Sequence, residues 1–367
     1  MALNVEKLLR SGAFFRRSDG RWILGWGNVR PCNAPTPGKL AFFSPQYFST
    51  TENSWFEFEN VDQLQPGELQ KMLEFDPQPK MRSVSELKQL AGLSRSGGFQ
   101  LSEMNWQQAD KSQFESDFNQ IMQKINQGEL EKAVPITYEW SPTIPDEPLI
   151  KKILHRLLIT QDGLTPYGMW SPEGGLLGCT PELLLEVKSG ILKTMAVAGT
   201  RPSDSNKSLL ENKKELHEHG LVVEGLKQLL SSLGKMNVSE TYEWNIGLIT
   251  HLRTDVEIQL DTSVNPSELV LSLHPTPALG GVPRAEALGV LKDLPSANIR
   301  RKFGAPFGVY LENGDMEVVV AIRNILWDDE GTKLFSGCGV VSESQFEMEW
   351  NELYAKRVQV KSTLGLG

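Results

Sequence analysis

Apolar residues at helical spacing predict two long helices. The first begins near Ser112, where Glu115 three residues later completes a capping-box pattern, and it ends before Gly128. Its apolar face consists of Phe114, Phe118, Ile121, Met122 and Ile125. The second helix is predicted over roughly residues 209–233, and its apolar stripe consists of Val222, Leu226, Leu229, Leu230 and Leu233. Each helix is therefore expected to bury one face against a core.

Shorter apolar runs separated by Gly, Pro and Asn predict strands. Aromatic-rich runs at 22–26, 41–43 and 55–58 fall within the first hundred residues. Further strand patterns lie at 132–138, 174–179, 183–187, 256–260, 307–311, 317–325 and 334–341. Asn313-Gly314-Asp315 predicts a hairpin turn between two of them. Because hairpin-linked strands are interspersed with helices and do not alternate with them strictly, we expect an α+β fold with largely antiparallel sheets.

Composition excludes several classes of protein. The chain has 367 residues, of which 40% are apolar and 23% charged, as is ordinary for a globular protein. A net charge of −9 argues against a general nucleic-acid binder. Cys32, Cys179 and Cys338 are far apart and lack C-x-x-C spacing, which argues against a disulfide framework or a zinc site. With no signal-peptide pattern and no apolar run long enough to span a membrane, we expect a cytoplasmic protein.

Carboxylates at two positions suggest a cation site. Near the C-terminus, Glu349, Glu352 and Lys356 are spaced so that a helix would place them on one face. Glu218 falls on the apolar stripe of the second helix, where an unpartnered carboxylate would be costly. Oxygen ligands of this kind suit Mg²⁺ and favour an enzyme that handles a small anion. A buried ion pair at Glu218 and a solvated C-terminal face remain alternatives.

Other candidate residues are ambiguous when taken singly. Arg323 ends an apolar strand pattern and offers a planar fork for carboxylates, but a structural salt bridge would explain it equally well. Taken in isolation, Lys132 and Glu182 would each be interpreted as a charged residue on the surface. Loops rich in small or rigid residues lie at 199–202, 274–281 and 337–339. Such loops can present backbone N–H groups to an anion, although ordinary turns have the same composition.

In combination and in order, eight short segments resemble the chorismate-binding enzymes, most closely the isochorismate synthases. They are Glu131-Lys132-Ala133-Val134, Thr180-Pro181-Glu182-Leu183-Leu184, Ala198-Gly199-Thr200-Arg201, His217-Glu218-His219, the segment 273–281, Ala321-Ile322-Arg323, the segment 337–341, and Glu349-Trp350-Asn351-Glu352 followed by Lys356. The resemblance implies one large domain with two stacked, largely antiparallel sheets, outer helices and a deep central cleft. Residues 105–367 would form the catalytic region, and residues 1–104 a variable part of the same fold.

The resemblance also implies a site that isomerises chorismate to isochorismate. Glu218, Glu349 and Glu352 would hold Mg²⁺. Lys132 would be the base that activates water for attack on ring C2, and Glu182 the acid that protonates the departing C4 hydroxyl. The substrate would be bound by Ala198, Gly199, Thr200, His274, Ala278, Arg323, Cys338, Gly339 and Lys356.

Three positions separate the reactions of this family, and all three favour water as the nucleophile. Lys132 stands where anthranilate synthases typically carry glutamine, Ala198 where aminodeoxychorismate synthases carry lysine, and Ala278 where anthranilate and salicylate synthases tend to carry threonine. We therefore expect no amidotransferase subunit. Salicylate synthase activity, in which pyruvate is eliminated from isochorismate, and a non-catalytic chorismate-binding protein are the alternatives. Pro135 and Thr137 depart from the usual isochorismate synthase pattern.

Overall fold

The structure is a computed structural model that describes residues 3–49, 53–65, 67–73, 104–160, 163–205, 207–247, 249–261 and 265–366. The composition of residues 93–98 predicts a linker, and that segment lies outside the described residues. Within them, no helix is both long and apolar enough to cross a membrane.

Nine α-helices and eighteen strands make up the described part of the chain. The helices are α1 (Val5–Arg10), α2 (Glu68–Met72), α3 (Lys111–Asn126), α4 (Glu147–Leu158), α5 (Lys213–Leu230), α6 (Pro266–Leu273), α7 (Arg284–Asp293), α8 (Ala297–Arg300) and α9 (Phe346–Leu364). The strands are β1 (Gly12–Arg16), β2 (Trp22–Cys32), β3 (Ala41–Phe43), β4 (Trp55–Leu64), β5 (Lys132–Ala133), β6 (Ile136–Ser141), β7 (Thr165–Ser171), β8 (Gly174–Thr180), β9 (Leu183–Lys188), β10 (Ile191–Pro202), β11 (Gly234–Val238), β12 (Tyr242–Ile246), β13 (Ile249–Leu260), β14 (Gly281–Val282), β15 (Pro306–Tyr310), β16 (Met316–Val320), β17 (Asn324–Asp328) and β18 (Gly331–Gly337).

Sixteen of these strands form one continuous antiparallel sheet. Its order is β11-β13-β10-β9-β16-β15-β3-β4-β2-β1-β7-β8-β17-β18-β6, with β12 paired to β13. The short strands β5 and β14 pair with each other, again antiparallel. The prediction of an α+β fold with largely antiparallel pairing is confirmed.

The sheet folds over so that its two halves stack. Phe307 on β15 lies 5.1 Å from Tyr167 on β7 and 6.5 Å from Phe15 on β1, measured between ring centroids. Strands β15 and β7 are five places apart in the sheet order, so contact between them requires the sheet to double back. Buried apolar side chains from both halves fill the space between them. The two stacked layers implied by the resemblance are present.

Helices cover the outer face of each layer. On one side, buried residues of α1, α4 and α9 pack against β2, β7, β8 and β17. On the other, α5 and α6 pack against β9, β10, β13 and β16. The predicted stripe of the second long helix faces this core, because Val222, Leu226 and Leu230 are completely buried. The helices therefore bury the faces that their spacing predicted.

Helix starts differ from the sequence predictions because other side chains cap them. Asp110 is the N-cap of α3, and its carboxylate accepts hydrogen bonds from the N–H groups of Ser112 and Gln113. The capping box predicted at Ser112 was therefore wrong. Similarly, Asn212 caps α5, so the helix begins after a short 3₁₀ turn and not at residue 209.

Two predicted strands are interrupted. The pattern at 132–138 breaks into β5 and β6 on either side of Pro135, which has no N–H for a ladder. The pattern at 317–325 breaks into β16 and β17, and Arg323 lies between them with a left-handed φ of 56°. The predicted hairpin at Asn313-Gly314 is confirmed, with Gly314 at a φ of 87° between β15 and β16.

A buried ion pair fixes α9 to the sheet. Arg357 on α9 donates from Nε to Glu139 Oε1 on β6 at 3.0 Å, and from its NH1 nitrogen to Ser336 Oγ on β18 at 2.7 Å. Lys361, one turn along the helix, also contacts Glu139. Because Arg357 and Glu139 are each 1% exposed, loss of either partner leaves the other charge buried.

We predict that Arg357→Met lowers the free energy of unfolding by about 3–5 kcal/mol, because Glu139 loses its best buried partner. Chemical denaturation monitored by circular dichroism measures this. The double variant Arg357→Met with Glu139→Gln removes both charges and should recover part of the loss. A single variant as stable as the unmodified protein would contradict the role assigned to the pair.

Candidate active site

A cavity with about 680 Å³ of empty space, including solvent at its open mouth, is lined by residues from both layers of the sheet. Its lining comes from segments that are far apart in sequence: Val134, Pro181, Glu182, Val197, Ala198, Gly199, Thr200, Glu218, His251, Ala278, Leu279, Phe303, Ile322, Arg323, Phe335, Ser336, Gly337, Cys338, Gly339, Glu352 and Lys356. Every residue that the sequence assigned to the site is in this lining except Lys132, His274 and Glu349. Long-range folding therefore brings most of the predicted site together.

Glu182 is a buried carboxyl group in this lining. It follows β8, where its N–H donates to Thr180 Oγ1 at 3.2 Å. Burial raises the pKa of Glu182 to about 8, although the nearby charges of Lys132 and Lys356 oppose the shift. Since Glu182 forms no ion pair among the described residues, its neutral form predominates at neutral pH, and a neutral carboxyl group can donate a proton.

Lys132 lies just outside the cavity lining, next to Gly339. Its side chain is completely buried, and its Nζ is 3.0 Å from Glu218 Oε1. A Cβ atom on Gly339 would lie 2.1 Å from Glu218 Oε1 and 2.5 Å from Lys132 Cε. Only glycine fits at this position while Lys132 and Glu218 stay in contact.

The C-terminal helix α9 turns its charged face toward the cavity. Glu349 is 1% exposed and Glu352 lies in the cavity lining, so the solvated-face alternative is wrong. Lys356 Nζ lies 2.6 Å from Glu352 Oε1 and donates to the carbonyl of Gly337 at 2.8 Å. Burial disfavours the charged form of Glu352, but Lys356 and the other neighbouring cations lower its pKa below the usual value. Lys356 and Glu352 are therefore a charged pair.

A second lysine, Lys214 on α5, lies among the remaining carboxylates. Its Nζ is 3.0 Å from Glu349 Oε1, 3.2 Å from Glu215 Oε1 and 3.7 Å from Glu218 Oε2. Burial acts against the ammonium form, but the surrounding carboxylates outweigh it and raise the pKa of Lys214. In the described part of the chain, no three His, Cys, Asp or Glu side chains form a ready-made metal site.

The donor set nevertheless suits a hard divalent cation. Glu218, Glu349 and Glu352 supply carboxylate oxygens, which are the ligands that Mg²⁺ prefers. Both oxygens of Glu349 are buried without an assigned hydrogen bond among the described residues, and Lys214 Nζ lies 3.0 Å from Oε1 as an ion-pair contact. Burial and the neighbouring Glu352 raise the pKa of Glu349 to about 7. Buried oxygens without donors are a feature that a bound cation would account for.

Arg323 presents an unpaired positive charge to the cavity. Its guanidinium contacts Gln359 Oε1, and its NH2 nitrogen is 3.3 Å from His251 Nε2. Burial lowers the pKa of Arg323 to about 10, so it remains a cation. It forms no ion pair within the described residues, and the salt-bridge alternative for this residue is therefore wrong. The uncharged side chains of Gln359 and His251 hold the guanidinium group in place but do not neutralise it, so its charge is available to an anionic ligand.

His251 is a site residue that the sequence reasoning missed. It lies on β13, and its Nδ1 is 3.1 Å from Thr200 Oγ1. Burial, with the charges of Arg323 and Lys356, holds the pKa of His251 well below its usual value, so the ring is neutral. No local pattern distinguishes it from other strand residues. Lys214 was also missed, although it precedes Glu218 by four residues, which is the spacing of neighbours on one helix face.

Only part of the Pro/Gly-rich loop at 274–281 reaches the cavity. Ala278 and Leu279 line the cavity, as expected for Ala278. His274 lies outside the lining, with its Nε2 2.8 Å from the carbonyl oxygen of Tyr47 and its ring edge-on to the Tyr47 ring. In the structure, His274 is thus part of the packing that holds the loop.

Two curated relatives match much of this chain. The salicylate biosynthesis isochorismate synthase of Pseudomonas aeruginosa is 27% identical over 265 residues, covering 70% of this chain and 55% of that protein. The vibriobactin-specific isochorismate synthase of Vibrio cholerae is 32% identical over 250 residues, covering 65% of this chain and 61% of that protein. The chain thus spans little more than half the length of these curated relatives.

The fold has solved counterparts as well. The menaquinone-specific isochorismate synthase from Escherichia coli superposes with a TM-score of 0.78 at 18% identity, covering 99% of this chain and 92% of that chain. A likeness at that identity shows a shared fold. The family model for chorismate binding enzymes matches residues 70–365. Since that match covers most of the sequence and includes every residue assigned to the cavity, the protein belongs to the chorismate-binding enzyme family.

Proposed function

We propose that this protein is a magnesium-dependent isochorismate synthase, which adds water at ring C2 of chorismate and removes the C4 hydroxyl. The observation that carries the proposal is Glu182, a buried carboxyl group whose pKa is about 8 and which shares a cavity with the cations Arg323 and Lys356. This arrangement combines a proton donor with holders for a substrate that carries two carboxylates. The names of the curated relatives support the same reaction.

Glu182 would act as the general acid. The hydroxyl at C4 is a poor leaving group until it is protonated, and Glu182 keeps its proton at neutral pH because burial disfavours its charged form. As the C4–O bond breaks, the ring double bonds shift and C2 becomes bonded to the oxygen of the attacking water. The departing oxygen leaves as water, and Glu182 becomes a carboxylate near Arg323 and Lys356.

Lys132 would act as the general base, a role that requires its ammonium to lose a proton before water attacks. It would accept the proton that the attacking water loses, after which its ammonium faces Glu218, 3.0 Å away. The proton gained by Lys132 balances the proton lost by Glu182, so the reaction consumes none overall. Ala198 lines the cavity as a small residue and offers no nucleophile in place of water.

Arg323, Lys356 and two loops would hold the substrate anions. Arg323 has the planar fork that matches a carboxylate, and His251 and Gln359 orient it without neutralising it. Gly199 and Thr200 on one loop, and Cys338 and Gly339 on the other, line the same cavity. Glu218, Glu349 and Glu352 would hold Mg²⁺, which when bound would neutralise and orient the ring carboxylate of the substrate.

The product spectrum from chorismate tests this proposal. Purified protein with chorismate and MgCl₂ should yield isochorismate without pyruvate, and added ammonia should not yield anthranilate in the absence of a partner subunit. Pyruvate release together with salicylate fluorescence would replace the proposal with salicylate synthase. Tight chorismate binding without turnover would identify a non-catalytic binding protein.

We predict that Lys132→Ala lowers turnover by at least about 10²-fold while chorismate binding in the presence of Mg²⁺ stays largely intact, because the base acts only in the chemical step. Steady-state assays and calorimetry measure the two effects separately. Lys124→Ala is a matched control, since Lys124 is an exposed lysine paired with Glu129 on the surface. Unchanged turnover in Lys132→Ala would assign the base to another group.

We predict that the rate falls as the pH rises through about 8, because Glu182 is protonated below its pKa and loses the proton above it. Glu182→Gln should lower the rate by about 10²–10⁴-fold, and the residual rate should no longer fall as the pH rises through about 8. Glu317→Gln is the matched control, because burial also raises the pKa of Glu317 to about 8 but the residue lies outside the cavity. If the residual rate of Glu182→Gln still fell as the pH rose through about 8, Glu182 would be ruled out as the acid.

A further inference from the structure

Lys214 lies among the carboxylates that we propose as metal ligands. Its Nζ lies 3.0 Å from Glu349 Oε1 and 3.7 Å from Glu218 Oε2, which belong to two of the proposed metal ligands. Glu215 Oε1 lies 3.2 Å from the same nitrogen. The ammonium group of Lys214 therefore lies where these carboxylates converge.

The position of Lys214 is fixed by the start of α5. The side chain of Asn212 caps the helix and accepts a hydrogen bond from the Lys214 N–H at 3.1 Å. Lys214 and Glu218 are four residues apart and share a helix face, which points the lysine side chain into the cluster. The side chain is 15% exposed, whereas the preceding Lys213 is exposed to solvent.

We infer that Lys214 is an internal counter-cation that competes with the divalent ion for Glu218 and Glu349, and that it thereby sets how tightly the protein holds metal. The inference rests on the proposed function, because it concerns the same carboxylates. Without a metal, the ammonium of Lys214 reduces the mutual repulsion of Glu218 and Glu349, the two proposed ligands that it contacts.

An ammonium and a divalent ion cannot both contact these oxygens. Like charges a few ångströms apart in a partly buried site repel strongly, because little water screens them. Metal binding therefore requires Lys214 to swing away on its flexible four-carbon stem. The free energy of that displacement is subtracted from the binding energy of the ion, so the unmodified protein should bind Mg²⁺ more weakly than its carboxylates alone would allow.

Metal titration without substrate tests the inference. Mg²⁺ binding is measured by calorimetry, and Mn²⁺ binding by the loss of the paramagnetic signal of the free ion. Lys214→Met keeps the apolar stem but removes the charge, and it should bind both ions about tenfold or more tightly than the unmodified protein. Lys214→Gln provides the same test if the methionine variant folds poorly.

Two control variants distinguish competition by Lys214 for the carboxylates from a general effect of the protein's net charge on metal binding. Lys213→Met removes a neighbouring exposed charge, and Lys214→Arg keeps a cation in the cluster, so neither should show the tenfold gain. Equal or weaker metal binding by both Lys214→Met and Lys214→Gln would overturn the inference while leaving the proposed function standing. If neither the unmodified protein nor any variant binds Mg²⁺, the inference and the magnesium part of the proposed function both fail.

Discussion

Contacts between lysines and carboxylates determine the chemistry that this cavity can perform. Glu218 lies against Lys132, Glu352 against Lys356, and Glu349 against Lys214. Glu182 lies in the same cavity but has no such partner among the described residues. Burial without a close counter-charge raises the pKa of Glu182, whereas Lys356 and the other neighbouring cations lower the pKa of Glu352 below its usual value. Lys214 does not have that effect on Glu349, whose pKa burial and Glu352 still raise to about 7. One cavity can therefore hold Glu182 as a proton donor beside Glu352 as a carboxylate, because a close ammonium separates their protonation states.

The antiparallel framework makes these contacts possible. Lys132 comes from the short strand β5, Glu182 from the turn after β8, Glu218 from α5, and the remaining groups from α9 and neighbouring loops. The buried pair of Arg357 with Glu139 ties α9 to β6 and so fixes the helix that supplies Glu349, Glu352 and Lys356. The close approach at Gly339 permits Lys132 and Glu218 to meet. Packing contacts outside the cavity thus fix the distances between the charged groups inside it.

Much of this arrangement could be predicted from the sequence, and the exceptions have physical causes. Apolar periodicity located α3, α5 and most strands, and it placed Glu218 on a buried face. Helix starts were misplaced because Asp110 and Asn212 cap the helices. The strand predicted at 317–325 is broken, since β16 ends at Val320 and Arg323 has a left-handed φ just before β17 begins. His251 could not be identified because its role depends on long-range contacts with Thr200 and Arg323.

The origin of the new hydroxyl group tests the central claim most directly. The account requires an oxygen from solvent to enter at C2 and the original C4 oxygen to leave as water. When chorismate and MgCl₂ are supplied in water enriched in heavy oxygen, mass spectrometry should therefore show one heavy oxygen per isochorismate formed. Isochorismate without the heavy oxygen, or chorismate that remains unchanged, would contradict the account.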